Sequence, residues 1–371
     1  MSDCLRCSPS VSFVRDCLQN TREICESFMN ALHERVFVRD CLFCSYIKIS
    51  LEELEHPNQE YIDKHLPMAS RLANVVPHSF TTLPQYADFH SAHRSFPCRS
   101  SDIWVASHPK AGTTWTQELV WCLVRGLDHS LSSKPLMNRF PFFEWDSLMT
   151  PELVQALESM PDDNVEKPGA QWRILEREDD PRLIKTHLHR ELMPRGVRSS
   201  KSKIIYVVRD PRDVCVSLFH HTIKFLGYTG DFDHFVDMFL SARYEFGPYW
   251  SNVLSFWNRR KSDNILVLKY EDMHADLVGA VVRVAKYLEV PVPEDQLPEI
   301  VEHLSFRNMK DNPATNNESI MDGLVENTGV KFMRKGIVGD HKNVLSVDQL
   351  KMFQVWTQTC LKNSDFPYYR D

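Results

Sequence analysis

The stretch HPKAGTTW, residues 108–115, contains residue types that bind phosphate. Gly112 lets the backbone approach an anion closely, and Thr113 and Thr114 add hydroxyl donors. The N–H groups at the start of a helix point outward, where the helix dipole favours negative charge, and Lys110 adds a full positive charge. The alternative is an ordinary strand-to-helix turn. The nucleoside triphosphate loop has the order G-x-x-x-x-G-K-[ST], so a lysine before the glycine predicts a different phosphate ligand.

A second candidate anion-binding pair follows an apolar run. Arg209 comes directly after the apolar residues 204–208, and a charged side chain in that position needs a partner or a solvated cleft. Ser217 follows about two helical turns later. An arginine and a hydroxyl from one strand–helix unit favour a second phosphate. The alternative is a structural ion pair between Arg209 and Asp210 or Asp213, and this segment alone does not decide between the two.

Lys185 and His187 are two residues apart in RLIKTHLHREL, residues 182–192. An extended backbone directs both side chains to the same side. A histidine accepts a proton near neutral pH, and a neighbouring lysine stabilises developing negative charge. Most of the 16 histidines are expected at the surface, so the interpretation of this pair as catalytic depends on the other motifs.

A basic loop near the C-terminus combines two positive charges with glycine. In FMRKGIVGDHKN, residues 332–343, Arg334 and Lys335 precede Gly336. Together they offer charged groups and backbone N–H groups to a phosphate. Taken alone, this segment is more typical of a solvated basic loop.

Alternating strands and helices are predicted to bring these motifs together. Apolar runs predict strands over residues 102–107, 203–210 and 264–273, and helical spacing of apolar residues predicts helices after Thr114, over 277–288 and near Cys360. The fold class is therefore α/β, with a central, mainly parallel sheet flanked by helices. Ligands of such sheets bind beyond the carboxyl ends of the strands, so residues 110–114 and Arg209 are expected to share one site.

The composition is that of a globular protein. The chain has 371 residues, of which 43% are apolar and 25% are charged, and a net charge of −7. The negative charge argues against nucleic acid as a partner. No run approaches the roughly 18–20 apolar residues of a membrane span, and the N-terminus lacks the pattern of a secretory signal. We therefore expect a cytoplasmic protein without a membrane partner, whose ten cysteines are reduced.

The first 80 residues differ from the remainder. Residues 1–80 are predicted to form a cysteine-rich, poorly ordered N-terminal extension, and residues 81–371 the functional domain. Six cysteines fall in the first 44 residues, including the C-x-x-C pairs Cys4/Cys7 and Cys41/Cys44. Paired C-x-x-C motifs hold zinc in some proteins, but the separation and apolar flanks of these pairs favour an extension without metal.

Six segments, in the right order, resemble the cytosolic sulfotransferase family over roughly residues 85–371. HPKAGTTW is similar to the family's 5′-phosphosulfate loop, Y-P-K-S-G-T-T-W. YVVRDPRDVCVS (206–217) resembles its 3′-phosphate segment, and KTH (185–187) its catalytic segment. RKGIVGDHKN (334–343) resembles R-K-G-x-x-G-D-W-K-N. YEDM (270–273) and LSFRNMKDNP (304–313) resemble two further segments.

The resemblance implies a P-loop-like sulfotransferase fold and a reaction. A sulfuryl group would pass from 3′-phosphoadenosine 5′-phosphosulfate (PAPS) to a small-molecule acceptor, leaving 3′,5′-adenosine bisphosphate (PAP), and no metal would be needed. His187 is the implied general base, and Lys110 and Lys185 would stabilise the departing phosphate. The implied donor-binding residues are Lys110, Ala111, Gly112, Thr113, Thr114, Trp115, Arg209, Ser217, Tyr270, Leu304, Phe306, Arg334, Lys335 and Gly336.

NRFPFFEW, residues 138–145, resembles a family segment that lines the acceptor site. Phe142 and Trp145 favour a hydrophobic acceptor with a hydroxyl or amine, although such rings are equally compatible with core packing. Three positions depart from the family pattern. Ala111 replaces serine, and His341 replaces tryptophan, which is expected to loosen its loop. The dimer motif K-x-x-x-T-V-x-x-x-E has Lys351 in place of glutamate, so a homodimer by that route is doubtful.

Two other functions stay open at this point. An enzyme using a nucleoside triphosphate requires G-K-[ST] and a magnesium-binding carboxylate, whereas this chain has PKAGTTW. A nucleotide-binding sensor, or an alcohol dehydratase on the same scaffold, would keep the donor site. The presence of Lys110, Lys185 and His187 argues against an inactive site, but it is compatible with elimination from an unstable sulfated alcohol.

Overall fold

The computed structural model describes residues 49–53, 59–66, 72–127, 133–159, 167–316 and 329–367. The two C-x-x-C pairs lie outside these residues. Strands in the described ranges form a three-stranded antiparallel sheet and a four-stranded parallel sheet. They are Ser50–Glu53 (β1), Ala73–Val76 (β2), Phe80–Thr82 (β3), Ile103–Ser107 (β4), Leu183–Thr186 (β5), Lys203–Val208 (β6) and Ile265–Lys269 (β7).

Helices surround the parallel sheet. The α-helices of the described ranges are Gln59–His65 (α1), Tyr86–Ser95 (α2), Thr113–Arg125 (α3), Leu136–Arg139 (α4), Pro151–Glu158 (α5), Ala170–Arg177 (α6), Gly196–Ser199 (α7), Pro211–Leu226 (α8), Phe232–Leu240 (α9), Tyr249–Trp257 (α10), Tyr270–Ala275 (α11), Leu277–Leu288 (α12), Leu297–His303 (α13), Phe306–Asp311 (α14) and Val347–Cys360 (α15). Short 3₁₀ turns cover Trp145–Leu148 and Asp340–Asn343. None of the helices in the described ranges combines the length and apolar character needed to cross a bilayer.

The parallel sheet has the strand order β5-β4-β6-β7, and this confirms the predicted α/β class. The chain passes from β4 to one side for β5 and to the other side for β6, a reversal that opens a crevice at the carboxyl ends of the strands. His108, His187, Arg209 and Tyr270 each follow directly after one of the four strands. The sheet therefore brings four separate sequence motifs to one edge.

Both faces of this sheet are covered by apolar side chains. Along β6, Ile204, Tyr206 and Val208 belong to one buried cluster, while Ile205 and Val207 belong to a second. Alternate residues of a strand point to opposite faces, so the two clusters are the two layers of core between the sheet and its helices. This explains the unbroken apolar run that predicted the strand.

The strand predicted over residues 264–273 is too long. β7 ends at Lys269, and residues 270–275 form α11 instead. Glu271 and Asp272 lie in the first turn of that helix, where negative charge is favourable. The strand predicted over 203–210 likewise ends at Val208, because the Asp210 side chain accepts a hydrogen bond from the Arg212 amide and caps α8.

The described residues before position 80 pack against the remainder of the chain. Ile62 and Val75 belong to the same buried cluster as Tyr206 of β6, and the Thr229 amide donates to the His65 carbonyl at 2.9 Å. The sequence did not predict the small antiparallel sheet. The domain boundary stays a prediction, and we propose to place it before residue 49 because β1 pairs with β2 and Ile62, Leu66 and Val75 contribute to the core.

Candidate active site

A cavity of about 480 Å³ opens at the carboxyl edge of the parallel sheet. Ala111 and Leu304 are the predicted site residues whose side chains do not line it. Both side chains are buried in the core; the Ala111 amide donates to the His108 carbonyl, and the Leu304 carbonyl accepts from Trp115 Nε1 at 2.9 Å. The predicted residues that do line the cavity are Lys110, Gly112, Thr113, Thr114, Trp115, Phe142, Trp145, Lys185, His187, Arg209, Ser217, Tyr270, Phe306, Arg334, Lys335 and Gly336.

The loop after β4 needs glycine at position 112. Gly112 has a φ of +111°, and a Cβ placed there would come within 2.8 Å of Tyr270 Cδ2. Gly112 is also the N-cap of α3, so the free N–H groups of that helix point towards the loop. The Thr113 hydroxyl lies 2.6 Å from the Ser107 hydroxyl, which fixes the helix start against the end of β4. The loop therefore has the backbone geometry that an anion cradle requires, and its role in binding an anion stays a prediction.

Arg209 makes the ion pair that one interpretation predicted and also lines the cavity, so its binding of a phosphate stays a prediction. Its Nη2 donates to the Ile337 carbonyl at 2.8 Å and lies 3.4 Å from Asp213, so the structural ion pair exists. The guanidinium also lines the cavity and lies 4.2 Å from the centre of the Tyr270 ring. Its Nε is buried without a hydrogen-bond partner among the described residues. A buried N–H without a partner is costly, so an anion in the cavity would stabilise this arrangement.

Asp213 ties the C-terminal basic loop to α8. Its carboxylate accepts from the Gly339 amide at 2.8 Å, from the His341 amide at 3.0 Å and from His341 Nδ1 at 2.8 Å. Burial acts to raise the pKa of Asp213, but these hydrogen bonds and the charge of Arg209 outweigh it and bring the pKa to about 2. The expectation that His341 loosens the loop is wrong, because its buried imidazole anchors the loop to Asp213.

Two cations of the C-terminal basic loop contact the same carboxylate. Arg334 and Lys335 both contact Asp340, with Lys335 Nζ at 2.7 Å. Gly336 has a φ of +65°, and a Cβ there would come within 2.1 Å of the Phe306 ring. Glycine is therefore required for the loop to lie directly against Phe306, and the two cations are held at the cavity edge.

His187 is held as a neutral imidazole with its Nε2 available. Its Nδ1 lies 2.8 Å from the Ser107 carbonyl oxygen, which can only accept, so Nδ1 carries the hydrogen. Burial and the charge of Lys185 lower the pKa of His187 well below its ordinary value. The backbone on both sides of the ring is fixed, because the His187 amide donates to Glu144 and its carbonyl accepts from Asn252 at 3.0 Å. Nε2 is therefore the basic atom of this ring.

Glu144 accepts a hydrogen bond from the His187 amide and lies near the charge of Lys185, and the sequence analysis did not identify it. It is fully buried, and Thr186 donates to it at 2.8 Å. Burial raises the pKa of Glu144, and burial lowers the pKa of Lys185 beside it. A lone carboxyl in the apolar segment NRFPFFEW was the available signal, since a buried acid needs partners.

Positive charge is concentrated on one side of the cavity. Burial, together with the charges of Lys185 and Arg209, lowers the pKa of Lys110 to about 7 from an ordinary value of 10.5. Lys110 Nζ lies 3.9 Å from the centre of the Phe332 ring, and Lys185 Nζ lies 3.7 Å from that of Phe142. The mutual repulsion of these cations would be relieved by a bound anion.

The part of the cavity that adjoins Lys185 at the Phe142 ring is apolar. Leu83, Leu148, Leu153 and the predicted Phe142 and Trp145 contribute to it. The His187 ring lies between two of the apolar side chains, 5.3 Å from Phe142 and 5.2 Å from Phe246. Sequence reasoning missed Phe246 because it lies far from every motif. The basic nitrogen thus sits where the cationic and apolar halves of the cavity meet.

A match to known proteins identifies the family. A family model described as a sulfotransferase domain matches residues 100–365. The chain belongs to the sulfotransferase family. Luciferin sulfotransferase of Photinus pyralis is 38% identical over 288 residues, which cover 76% of this chain and 77% of that protein. Sulfotransferase 1E1 of Homo sapiens is 31% identical, covering 74% and 88% of the two chains.

A solved structure shares the fold of this sulfotransferase family member. Retinol dehydratase, in complex with androsterone and inactive cofactor PAP, superimposes with a TM-score of 0.77 at 28% identity and covers 88% of this chain and 99% of that one. The predicted sulfotransferase fold is thereby confirmed. The roles of individual site residues and the absence of a metal stay predictions.

Two features outside the cavity bear on the remaining expectations for this sulfotransferase. Among the described residues, Glu118, Cys122 and His303 form one group of metal-ligand type, but Glu118 already accepts from Arg139 and His303, each at 2.8 Å. In the degraded dimer motif, Lys351 Nζ lies 3.0 Å from Asp348 of its own helix. Whether the protein forms a homodimer stays a prediction.

Proposed function

We propose that this chain transfers a sulfuryl group from PAPS to a hydroxyl, or an amine, of a small hydrophobic acceptor. The observation that carries the proposal is the position of His187. A neutral imidazole, with its Nδ1–H bonded to the Ser107 carbonyl, presents Nε2 at the junction of a cationic half-cavity and an apolar one. That arrangement suits deprotonation of an apolar acceptor next to an anionic leaving group.

The residues of the cationic half fit PAPS. The orphaned N–H of Arg209 and the cradle at Gly112 both call for an anion. We assign the 5′ side to residues 110–114, with Ala111 contributing backbone only. Trp115, Tyr270 and Phe306 would contact the adenine, with the Leu304 carbonyl orienting Trp115. The 3′-phosphate would be held by Arg209, Ser217, Arg334, Lys335 and Gly336. The presence of PAP in the retinol dehydratase structure supports this assignment.

In the proposed reaction PAPS supplies the sulfuryl group and a phosphate leaving group. His187 Nε2 accepts the proton of the acceptor hydroxyl, and the Ser107 carbonyl stabilises the resulting imidazolium through Nδ1–H. Lys110 and Lys185 donate hydrogen bonds to the negative charge that develops on the departing oxygen. Phe142 and Phe246 hold the acceptor against His187 and exclude water from the ring. No metal is required for these steps.

The affinity for PAP is expected to weaken as the pH rises from 7 to 9, by up to about tenfold per pH unit. Lys110 has a pKa of about 7 in the free protein and must be protonated to bind an anion. Lys185, whose pKa is also lowered, and Glu144, whose pKa is raised, act in the same direction, while the phosphates of PAP are already ionised. Calorimetric titration at pH 7, 8 and 9 measures the trend. A constant or rising affinity would contradict this charge assignment.

Arg209→Lys is expected to weaken PAP binding by about 10- to 100-fold and leave AMP binding nearly unchanged. Lysine keeps the charge but lacks the several N–H groups of the guanidinium, which donates to the Ile337 carbonyl and lines the cavity at the same time. Arg212→Lys is the matched control, because Arg212 pairs with Asp210 and does not line the cavity. Calorimetry with PAP and AMP, without magnesium, gives both ratios. Equal losses for PAP and AMP would remove Arg209 from the 3′-phosphate site.

A dehydratase is the second candidate, favoured by the structural similarity to retinol dehydratase. Sulfation of an alcohol that readily loses sulfate would give an alkene in place of a stable ester. Mass spectrometry of the products from a phenol and from an allylic alcohol separates the two functions. A stable sulfate ester from both supports the transferase alone, whereas a dehydrated product from the allylic alcohol supports elimination.

The cytoplasmic location also stays a prediction.

A further inference from the structure

The apolar half of the cavity contains an acidic side chain that the proposed reaction does not use. Asp213, Asp340 and Glu245 are the acidic residues among the described residues that line the cavity. Asp213 and Asp340 are engaged by the hydrogen bonds described above. No hydrogen bond or ion pair joins the half-buried carboxyl of Glu245 to another described residue. Its hydrogen-bonding capacity is therefore left for a ligand.

The neighbours of Glu245 hold it in a fixed place. The Phe246 amide donates to the Thr81 carbonyl at 2.7 Å, and the Phe246 ring lies 5.2 Å from that of His187. On the other side, the Tyr244 hydroxyl lies 3.0 Å from His108 Nε2. Glu245 thus belongs to a segment that is pinned at both ends and directly adjoins the side chain facing the proposed base. A polar group held in a fixed position can distinguish between acceptors by the hydrogen bonds that they form with it.

The energetics of the carboxyl favour a polar partner. Burial, with the nearby Glu144 as the second cause, raises the pKa of Glu245 to about 8. At neutral pH the group is therefore mostly a carboxylic acid, which both donates and accepts a hydrogen bond. A polar group in an apolar wall costs free energy while it is unpaired, and such groups discriminate strongly between ligands that satisfy them and ligands that do not.

We propose that Glu245 binds a second polar group of the acceptor, a hydroxyl or an ammonium that donates a hydrogen bond. Hydrophobic acceptors carrying such a group are selected over acceptors of the same shape that lack it. The inference rests on the proposed function for the identity of the reacting hydroxyl. It concerns ligand binding, so it is measurable without turnover.

Three phenols that differ only at the end of the side chain provide the test: 4-ethylphenol, 4-(2-hydroxyethyl)phenol and 4-(2-aminoethyl)phenol. Calorimetry on the full chain saturated with PAP gives their dissociation constants. For the wild type we expect the hydroxyl and amine compounds to bind more tightly than 4-ethylphenol. In Glu245→Leu this preference should fall by about 10- to 100-fold, because the hydrogen bond to the end group is lost.

Glu245→Gln separates the two kinds of polar group. The amide still offers a donor and an acceptor, so binding of the hydroxyl compound should be kept, while binding of the amine should weaken because glutamine cannot ionise. Glu294→Gln, at an exposed position, is the matched control and should change none of the three constants. An unchanged PAP affinity shows that each variant is folded.

Two outcomes would overturn the inference. The first is a wild type that binds the three phenols equally or binds none of them. The second is a Glu245→Leu variant that keeps the wild-type order of affinities. Transfer from labelled PAPS to 4-ethylphenol is measured separately. Selective binding without any sulfated product refutes the proposed function and leaves the role of Glu245 standing. Transfer without selective binding supports the proposed function and refutes the role of Glu245.

Discussion

His187→Ala is expected to slow sulfuryl transfer by about 10²- to 10⁴-fold. The variant loses the nitrogen that accepts the acceptor proton, while the donor half of the cavity keeps all its side chains. The hydrogen bonds of the His187 backbone to Glu144 and Asn252 do not involve the ring, so the strand end stays in place. PAP affinity should therefore change little. Steady-state kinetics and calorimetry on the same preparation measure the two quantities.

Glu144→Gln separates the effect of losing the proposed base, His187, from the effect of losing the carboxylate that positions it. Glu144 accepts from the His187 amide with one oxygen and from Thr186 with the other, and glutamine replaces one acceptor by a donor. We take it as a positioning residue, and its substitution should give a smaller loss than His187→Ala. It should also shift the pH profile of kcat/KM, because Lys185 loses the charge of the carboxylate beside it, which raises the pKa of Lys185. A His187→Ala variant with most of its turnover intact would remove His187 from the mechanism.

Lys110→Met is expected to lower kcat by about 10²- to 10³-fold and to weaken PAP binding. Lys110 is the cation of the phosphate loop, and methionine is an unbranched side chain of nearly the same length that removes the charge and its contact with the Phe332 ring. The pH dependence of PAP affinity should become flatter, because the titrating group has been removed. Single-turnover transfer and calorimetry at pH 7 and 9 measure these effects. A steep pH dependence in the variant would assign the titration to another group.

The same substitution should stabilise the free protein, most of all at low pH. The pKa of Lys110 is about 7 when folded and 10.5 ordinarily, so the unfolded chain binds more protons between these values. The free energy of unfolding therefore rises with pH across this window, and the penalty of the buried cation is full below pH 7. The gain in melting temperature of Lys110→Met over the wild type should be largest at pH 6 and shrink towards pH 10. A variant that melts lower at pH 6 would contradict the depressed pKa.

The sequence was sufficient to predict the parallel sheet and to bring the predicted cationic residues to one cavity. Five apolar residues before Arg209 predicted β6, and the rule that ligands bind at the carboxyl ends of strands placed Arg209 beside residues 110–114. Both inferences depend on residues close together in the chain. The early end of β7 was missed because an apolar pattern does not show that Glu271 and Asp272 favour a helix start.

The apolar part of the cavity was much less predictable. Glu144, Glu245 and Phe246 reach His187 or the cavity through contacts between segments that are distant in the sequence. Glu144 lies in NRFPFFEW but its partners Thr186 and His187 do not, and Glu245 and Phe246 lie outside every motif. His341 shows the same limit of sequence analysis, because its effect on the loop was predicted without knowledge of its distant partner. A substitution expected to loosen a loop instead anchors it, because Asp213 lies within hydrogen-bond distance across 128 residues of chain. Partners of this kind become visible only when the chain is folded.

Incubation of the purified full-length chain with ³⁵S-labelled PAPS and a panel of hydrophobic phenols and alcohols, without magnesium, tests the central claim most directly. Labelled product and PAP are quantified together. The account predicts that label moves to at least one acceptor in equal amount to the PAP formed, and that His187→Ala slows the transfer by about 10²- to 10⁴-fold. Tight binding of PAP with no transfer to any acceptor would contradict it and would favour a nucleotide-binding sensor on the same scaffold.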